Sequence, residues 1–134
     1  MNLDEDTVDE LPAPPRKDIP AADRELLELA ARALGARFEE VDGEGYGNLH
    51  FENGSTVYSW NPLQFSGDAL ELAVRLSLDV THWGGSTNVN KSGKGWVHAV
   101  EHWGPDGDHL AATRRAITRA AAEIGKQPPT SDIS

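Results

Sequence analysis

RFEEVDGEGYGNLHFENGSTVYSW, Arg37 to Trp60, is the stretch on which the fold turns. Its apolar and aromatic residues fall into three short runs, RFEEV, NLHF and TVYSW, each below helical length and each holding side chains that suit a pleated surface. DGEGYGN separates the first two runs, and Asn53-Gly54, a dipeptide that takes positive φ at little cost, separates the last two. The pattern predicts a β-hairpin or short meander.

Outward from this stretch the period changes to that of a helix. Upstream, Leu26, Leu29, Ala30, Ala33 and Leu34 recur on one face, Arg24 pairs with Glu28 one turn away, and Gly35 ends a helix that starts near Asp23. Downstream, Ser66 or Asp68 is placed to cap a second helix with the broad apolar stripe Ala69, Leu70, Leu72, Ala73, Val74 and Leu76, Glu71 facing Arg75, running to about Leu78. DVTHW and GWVHAVEHW then read as a second strand pair flanking GGSTNVNKSGKG, which reads as a glycine-rich loop over 84–95. Asp108 caps a third helix, LAATRRAITRAAAEI, with Leu110, Thr113, Ile117, Ala120 and Ile124 inward and Gly125 as its stop. The expected fold is α+β in the order αββαββα, a four-stranded mostly antiparallel sheet with helices packed on its faces. No internal repeat stands out beyond the αββ echo.

At 134 residues the chain suits one domain. Residues 1–20 hold six acids against Arg16 and Lys17, with Pro12, Pro14, Pro15 and Pro20, a composition that cannot bury enough apolar surface to offset ordering. We therefore expect a disordered acidic, proline-rich tail over 1–20, a domain over 21–126 and a flexible C-terminal tail over 127–134. There is no cysteine, which excludes disulfides, thiolate metal sites and a cysteine nucleophile. MNLDEDTVDE has no apolar core of a secretory signal, and no stretch nears the roughly 18 apolar residues of a membrane span, so the expected location is the cytoplasm, away from membranes. The net charge of −10 opposes nucleic-acid binding, which depends on neutralising phosphates.

Trp60-Asn61-Pro62-Leu63, followed by Gly67-Asp68-Ala69-Leu70 and Leu72-Ala73-Val74, resembles the phage α/β/α-sandwich domain family of phages and prophages. DRELLELAARALG (Asp23 to Gly35) resembles the family's opening helix and ATRRAITRAAAEIG (Ala112 to Gly125) its closing one. The resemblance spans most of 23–125. It implies a fold and a phage-encoded protein working in a host bacterial cell, and brings no catalytic residues. The acidic extension 1–20 and the loop 84–95 depart from the pattern. Pro62 drives Asn61 out of the helical region, so the Trp-Asn-Pro-Leu motif also makes sense as architecture.

The candidate chemistry is thin. Gly43-Glu44-Gly45-Tyr46-Gly47 leads into a strand, whereas a phosphate cradle leads into a helix, and Ser92-Gly93-Lys94-Gly95 lacks the spacing of a P-loop. Asp106-Gly107-Asp108 opens like a calcium loop, but the position for its closing Glu is Ile117. His98 and His102 share a strand face about 13 Å apart, too far for one metal ion. No serine among Ser59, Ser77 and Ser86 is distinguished as a nucleophile. We expect no enzyme, no cofactor and no metal.

Two surfaces remain as partner-binding candidates. The first is the aromatic strand pair with Trp83, Trp96, His102 and Trp103, which holds more tryptophan than one sheet face can hide. The second is the basic stripe of the third helix, Arg115 and Arg119 beside Arg114, with Arg119 expected to pair with Glu123. The reading is a phage accessory protein that binds a host or phage protein complex, in its concrete form a non-enzymatic inhibitor of a host defence complex of the anti-CRISPR type. The rivals are a phage structural or replication-linked protein without a host target, and a small-ligand-binding or enzymatic domain.

Overall fold

The computed structural model describes residues 15–91 and 94–127, the side chains of 94–96 excepted. The stretch Arg37 to Trp60 folds as a meander: β1 (Ala36–Val41), β2 (Tyr46–Phe51) and β3 (Thr56–Trp60) pair antiparallel in that order. Gly54, at φ 92°, makes the Asn53-Gly54 turn. Gly47 is needed for a different reason, since a Cβ there would sit 2.5 Å from the Phe38 ring and the Glu39 carbonyl. The meander's inner face carries the buried Phe38, Leu49 and Trp60, with Phe38 and Trp60 in tilted ring contact at 5.9 Å.

Helix α1 (Ala21–Ala33) precedes the meander and packs on β1, and α2 (Ser66–Arg75) follows it. The second strand region is also a meander, β4 (Leu78–Trp83), β5 (Ser86–Lys91) and β6 (Lys94–His102), and α3 (His109–Lys126) closes the chain. The expected single four-stranded sheet is therefore corrected to two three-stranded antiparallel sheets in the order αβββαβββα. The difference is one strand in each half: Arg37 to Trp60, counted as two strands in the expected order, folds as three, and Ser86–Lys91, read as loop, folds as the central strand of its sheet. Thr87 and Val89 are its inward residues, both fully buried, while Asn88 and Asn90 alternate to the outside.

Helix α3 covers the inner face of the second sheet and lies beside α1, with Ala30 and Ala31 of α1 and Ala116, Ala120 and Ala121 of α3 all buried. Leu27, Leu49, Leu72, Val89 and Val97 complete one core shared by both sheets and the three helices. Asp108 caps α3 as expected, its Oδ1 accepting from the Ala111 N–H at 3.0 Å. Other helix assignments change. Neither Ser66 nor Asp68 caps α2, whose N-cap is Phe65 with no side-chain cap hydrogen bond. Leu110 of α3 is not inward but 65% exposed. Gly125 lies inside α3 as a packing residue. Helix α2 stops at Arg75, short of Leu78, because Ser77 takes the left-handed conformation (φ 55°) that turns Leu78 into β4. The apolar stripe of α2 is also narrower than it reads: Leu70 and Val74 face solvent at 63% and 69% exposure. Glu71 and Arg75 pair as expected, at 2.9 Å.

Asn61 joins the two halves. Buried, it donates from Nδ2 to the Gly45 carbonyl (2.8 Å), accepts at Oδ1 from the Leu63 N–H (2.9 Å), and donates its own N–H to Asp68 Oδ2 (2.9 Å). Asp68 belongs to the first turn of α2, and its partial burial raises its pKa, an effect the Asn61 N–H opposes and Glu71 reinforces.

Residues 15–20, assigned above to the tail, are attached to the domain. Lys17 donates its N–H to the Gly43 carbonyl at 3.0 Å, Arg16 meets Asp42 at 2.7 Å, and Ile19 is only 5% exposed. Arg24 clamps the strap by donating to Glu40 (2.8 Å) and to the Ile19 carbonyl (3.2 Å); its expected partner was Glu28. Residues 1–14 of the predicted N-terminal tail and 128–134 of the C-terminal one lie outside the described residues.

Candidate functional site

The second sheet has two faces of different character. On the inner face Leu78, Val89, Val97 and Ala99 are buried under α3. On the outer face the register aligns three rows, Asp79 with Asn90 and His98, Thr81 with Asn88 and Val100, and Trp83 with Ser86 and His102. Asp79, Thr81, Trp83, His98 and His102 are exposed, so this face is open to solvent. Trp83 is 78% exposed, the most of any large apolar residue described.

The end of the sheet that bears Trp83 is tightly constrained. Gly84 and Gly85 turn β4 into β5 at positive φ, and the Gly85 carbonyl accepts from the N–H groups of Trp103 (2.9 Å) and Gly104 (3.2 Å). Ser86 donates from Oγ to the Trp83 carbonyl at 3.0 Å. The backbone under Trp83 is thus pinned to the end of β6 while its indole stays in water. Across the row His102 stands two strands away, about 10 Å, with the small Ser86 between them.

The six candidates are split by the fold. Trp83 and His102 share the outer face. Trp103 turns inward: its Nε1–H donates to Thr87 Oγ1 at 3.1 Å and its ring lies against His109 at 3.9 Å. Trp96 lies in β6, and its side chain is outside the described residues. Arg115 and Arg119 are internal ties. Arg115 meets Asp23 of α1 at 3.0 Å, and Arg119 donates to Glu101 at 2.7 Å and to the Val100 carbonyl at 2.8 Å. The expected Arg119–Glu123 pair is corrected, since Glu123 meets Lys126 at 3.1 Å while Arg119 reaches back to β6. Arg114 likewise donates to the Leu63 carbonyl (3.0 Å) and Ser66 Oγ (3.1 Å).

The histidines are engaged singly. The His98 Nδ1–H donates to Asn90 Oδ1 at 2.6 Å, and His82, on the inner face, meets Thr113 Oγ1 at 3.0 Å, which in turn meets Thr87 Oγ1 at 3.0 Å. This chain of hydroxyls, ending at the Trp103 indole, was not foreseen, because Thr113 and Thr87 are 26 residues apart. Among the described residues no group of three or more His, Cys, Asp or Glu is placed to hold a metal ion. No described helix is long and apolar enough to cross a membrane.

No family model matches this chain, and neither a curated protein nor a solved structure matches it.

Proposed function

We propose that this protein acts by binding another protein on the outer face of its second sheet, with Trp83 as the anchor and His102 beside it. The observation that carries the reading is the 78% exposure of Trp83 on a backbone held by the Gly85 and Ser86 hydrogen bonds. Tryptophan is enriched where interface energy concentrates, and a backbone already held in place lowers the ordering cost of binding through it. Trp83 and His102 stand two strands apart, roughly 10 Å between backbones, close enough for one partner segment to touch both.

The biological form of the proposal is a phage or prophage accessory protein whose target is a host complex, in the concrete case an inhibitor of a defence complex of the anti-CRISPR type. It is supported by the likeness of Trp60–Leu63 and the helices to the phage sandwich family and by the net charge of −10, which favours a basic partner groove over nucleic acid. The test is co-purification from host cells with tagged wild-type protein and tagged Trp83→Ala in parallel. A stoichiometric partner held by the wild type and lost by the variant is the expected result. Retention of every partner by Trp83→Ala would reject the surface.

A further inference from the structure

Six of the eight arginines are committed to carboxylates or carbonyls, and Arg32 and Arg37 have no side-chain hydrogen bond or ion pair among the described residues. In a chain of net charge −10, two unpartnered guanidinium groups are a departure, since free acids are abundant. Both line one open cleft of about 510 Å³, between the end of α1 and the paired ends of β1 and β2. Arg37 stands beside His50 in the register, and Phe51 supplies an apolar wall. The His50 Nε2–H is engaged by Glu39 at 2.7 Å; Glu52 is the acid on the cleft wall.

We infer that this cleft is a binding site for a phosphorylated small molecule, its phosphate bridging Arg32 and Arg37. The choice of ligand follows from the donors. A single carboxylate offers two oxygens and is satisfied by one guanidinium fork, whereas a phosphate monoester offers three oxygens and up to two charges, enough for two forks. The volume lies within the range of small-molecule sites, and the Phe51 wall suits the organic part of such a ligand. A polyanion is disfavoured, because beyond the cleft it would meet an acidic body at long range. The site is independent of the Trp83 surface, which lies on the other sheet.

The test is titration of the full chain with adenosine monophosphate, inorganic phosphate and adenosine at constant ionic strength, followed by amide chemical shifts. Saturable shifts at Arg37, Phe51 and Glu52 are expected with the nucleotide, weaker ones with inorganic phosphate and none with adenosine. Arg32→Ala and Arg37→Ala should each weaken binding about tenfold, and Glu52→Gln should strengthen it a few-fold by removing the opposing charge. All three positions are exposed, so their circular dichroism and melting should match the wild type. No saturable response to either phosphate compound, an equal response to adenosine, or an unchanged affinity in the Arg32→Ala/Arg37→Ala double variant would overturn the site.

Discussion

Gly125 of α3 stands so close to Leu29 of α1 that a Cβ on Gly125 would lie 1.9 Å from the Leu29 carbonyl oxygen. The Asp23–Arg115 pair at the other end of α1 shows that the two helices run side by side in the same sense. Between these contacts the interface is mostly alanine, which allows the backbones to approach.

Gly125→Ala should therefore be among the most destabilising alanine substitutions in the chain. The obstacle is backbone, which cannot rotate away, so α1 must shift as a body. We expect a loss of about 3 kcal/mol or more in urea unfolding, against the gain that Gly→Ala gives in an unobstructed helix.

Gly125 also shows why part of the fold was legible and part was not. A glycine near a helix end reads as a stop, and only the position of α1 reveals it as a spacer. Local features read correctly: Asp108 as a cap, Glu71 beside Arg75, Asn53-Gly54 as a turn. Ser86–Lys91 was missed because a central strand with one wet face needs only Thr87 and Val89 as inward residues, and the glycines around it suggested a loop. For the site, an abundance of tryptophan was visible, but which indole faces water depends on the side α3 covers. Arg32 and Arg37 stand out only because neither has a side-chain partner among the described residues.

Asp68 gives stability a specific pH dependence. Its pKa is raised in the fold above the ordinary 3.8, so in the window just above that value the folded chain holds more protons than the unfolded one, and stability falls as pH rises through it. Asp68→Asn keeps an acceptor for the Asn61 N–H and removes the buried charge. The variant should match the wild type at low pH and equal or exceed it at neutral pH, as measured by melting across the two conditions. A wild type that gains on the variant as pH rises would contradict the direction.

The strap before α1 divides into a dispensable and a necessary part. Arg16, Asp18 and Asp42 form exposed ion pairs of little net value, so deletion of residues 1–18 should leave the melting temperature within a few degrees. Ile19 is buried against the core, and Ile19→Ala should cost about 2–4 kcal/mol.

Arg119 and Glu101 tie α3 to β6, so charge reversal on the helix should act on stability first. With both groups partly exposed, Arg119→Glu should cost roughly 1–2 kcal/mol, and Glu101→Arg in the same chain should restore part of it. Thermal melting of the two singles and the double closes the cycle. Full additivity would mean that the contact carries no coupling.

Trp83 and Trp103 lie near the same end of the second sheet and should behave oppositely when cut to alanine. Trp103 rests on His109 and donates its indole N–H to Thr87, whose buried hydroxyl also meets Thr113. Its removal opens a gap under the start of α3 and takes away a donor from that hydroxyl chain, so Trp103→Ala should cost about 3 kcal/mol or more. Trp83 touches solvent over most of its surface, and its carbonyl, which the mutation keeps, is the atom bonded to Ser86. Trp83→Ala should thus leave unfolding within about 0.5 kcal/mol of the wild type. The same exposure predicts that, among the described indoles, Trp83 is the most accessible to acrylamide, in contrast to the buried Trp60, so Trp83→Ala should reduce the quenchable share of the fluorescence. If Trp83→Ala unfolded the protein while Trp103→Ala were silent, the two faces of the sheet would have to be exchanged, and the binding surface with them.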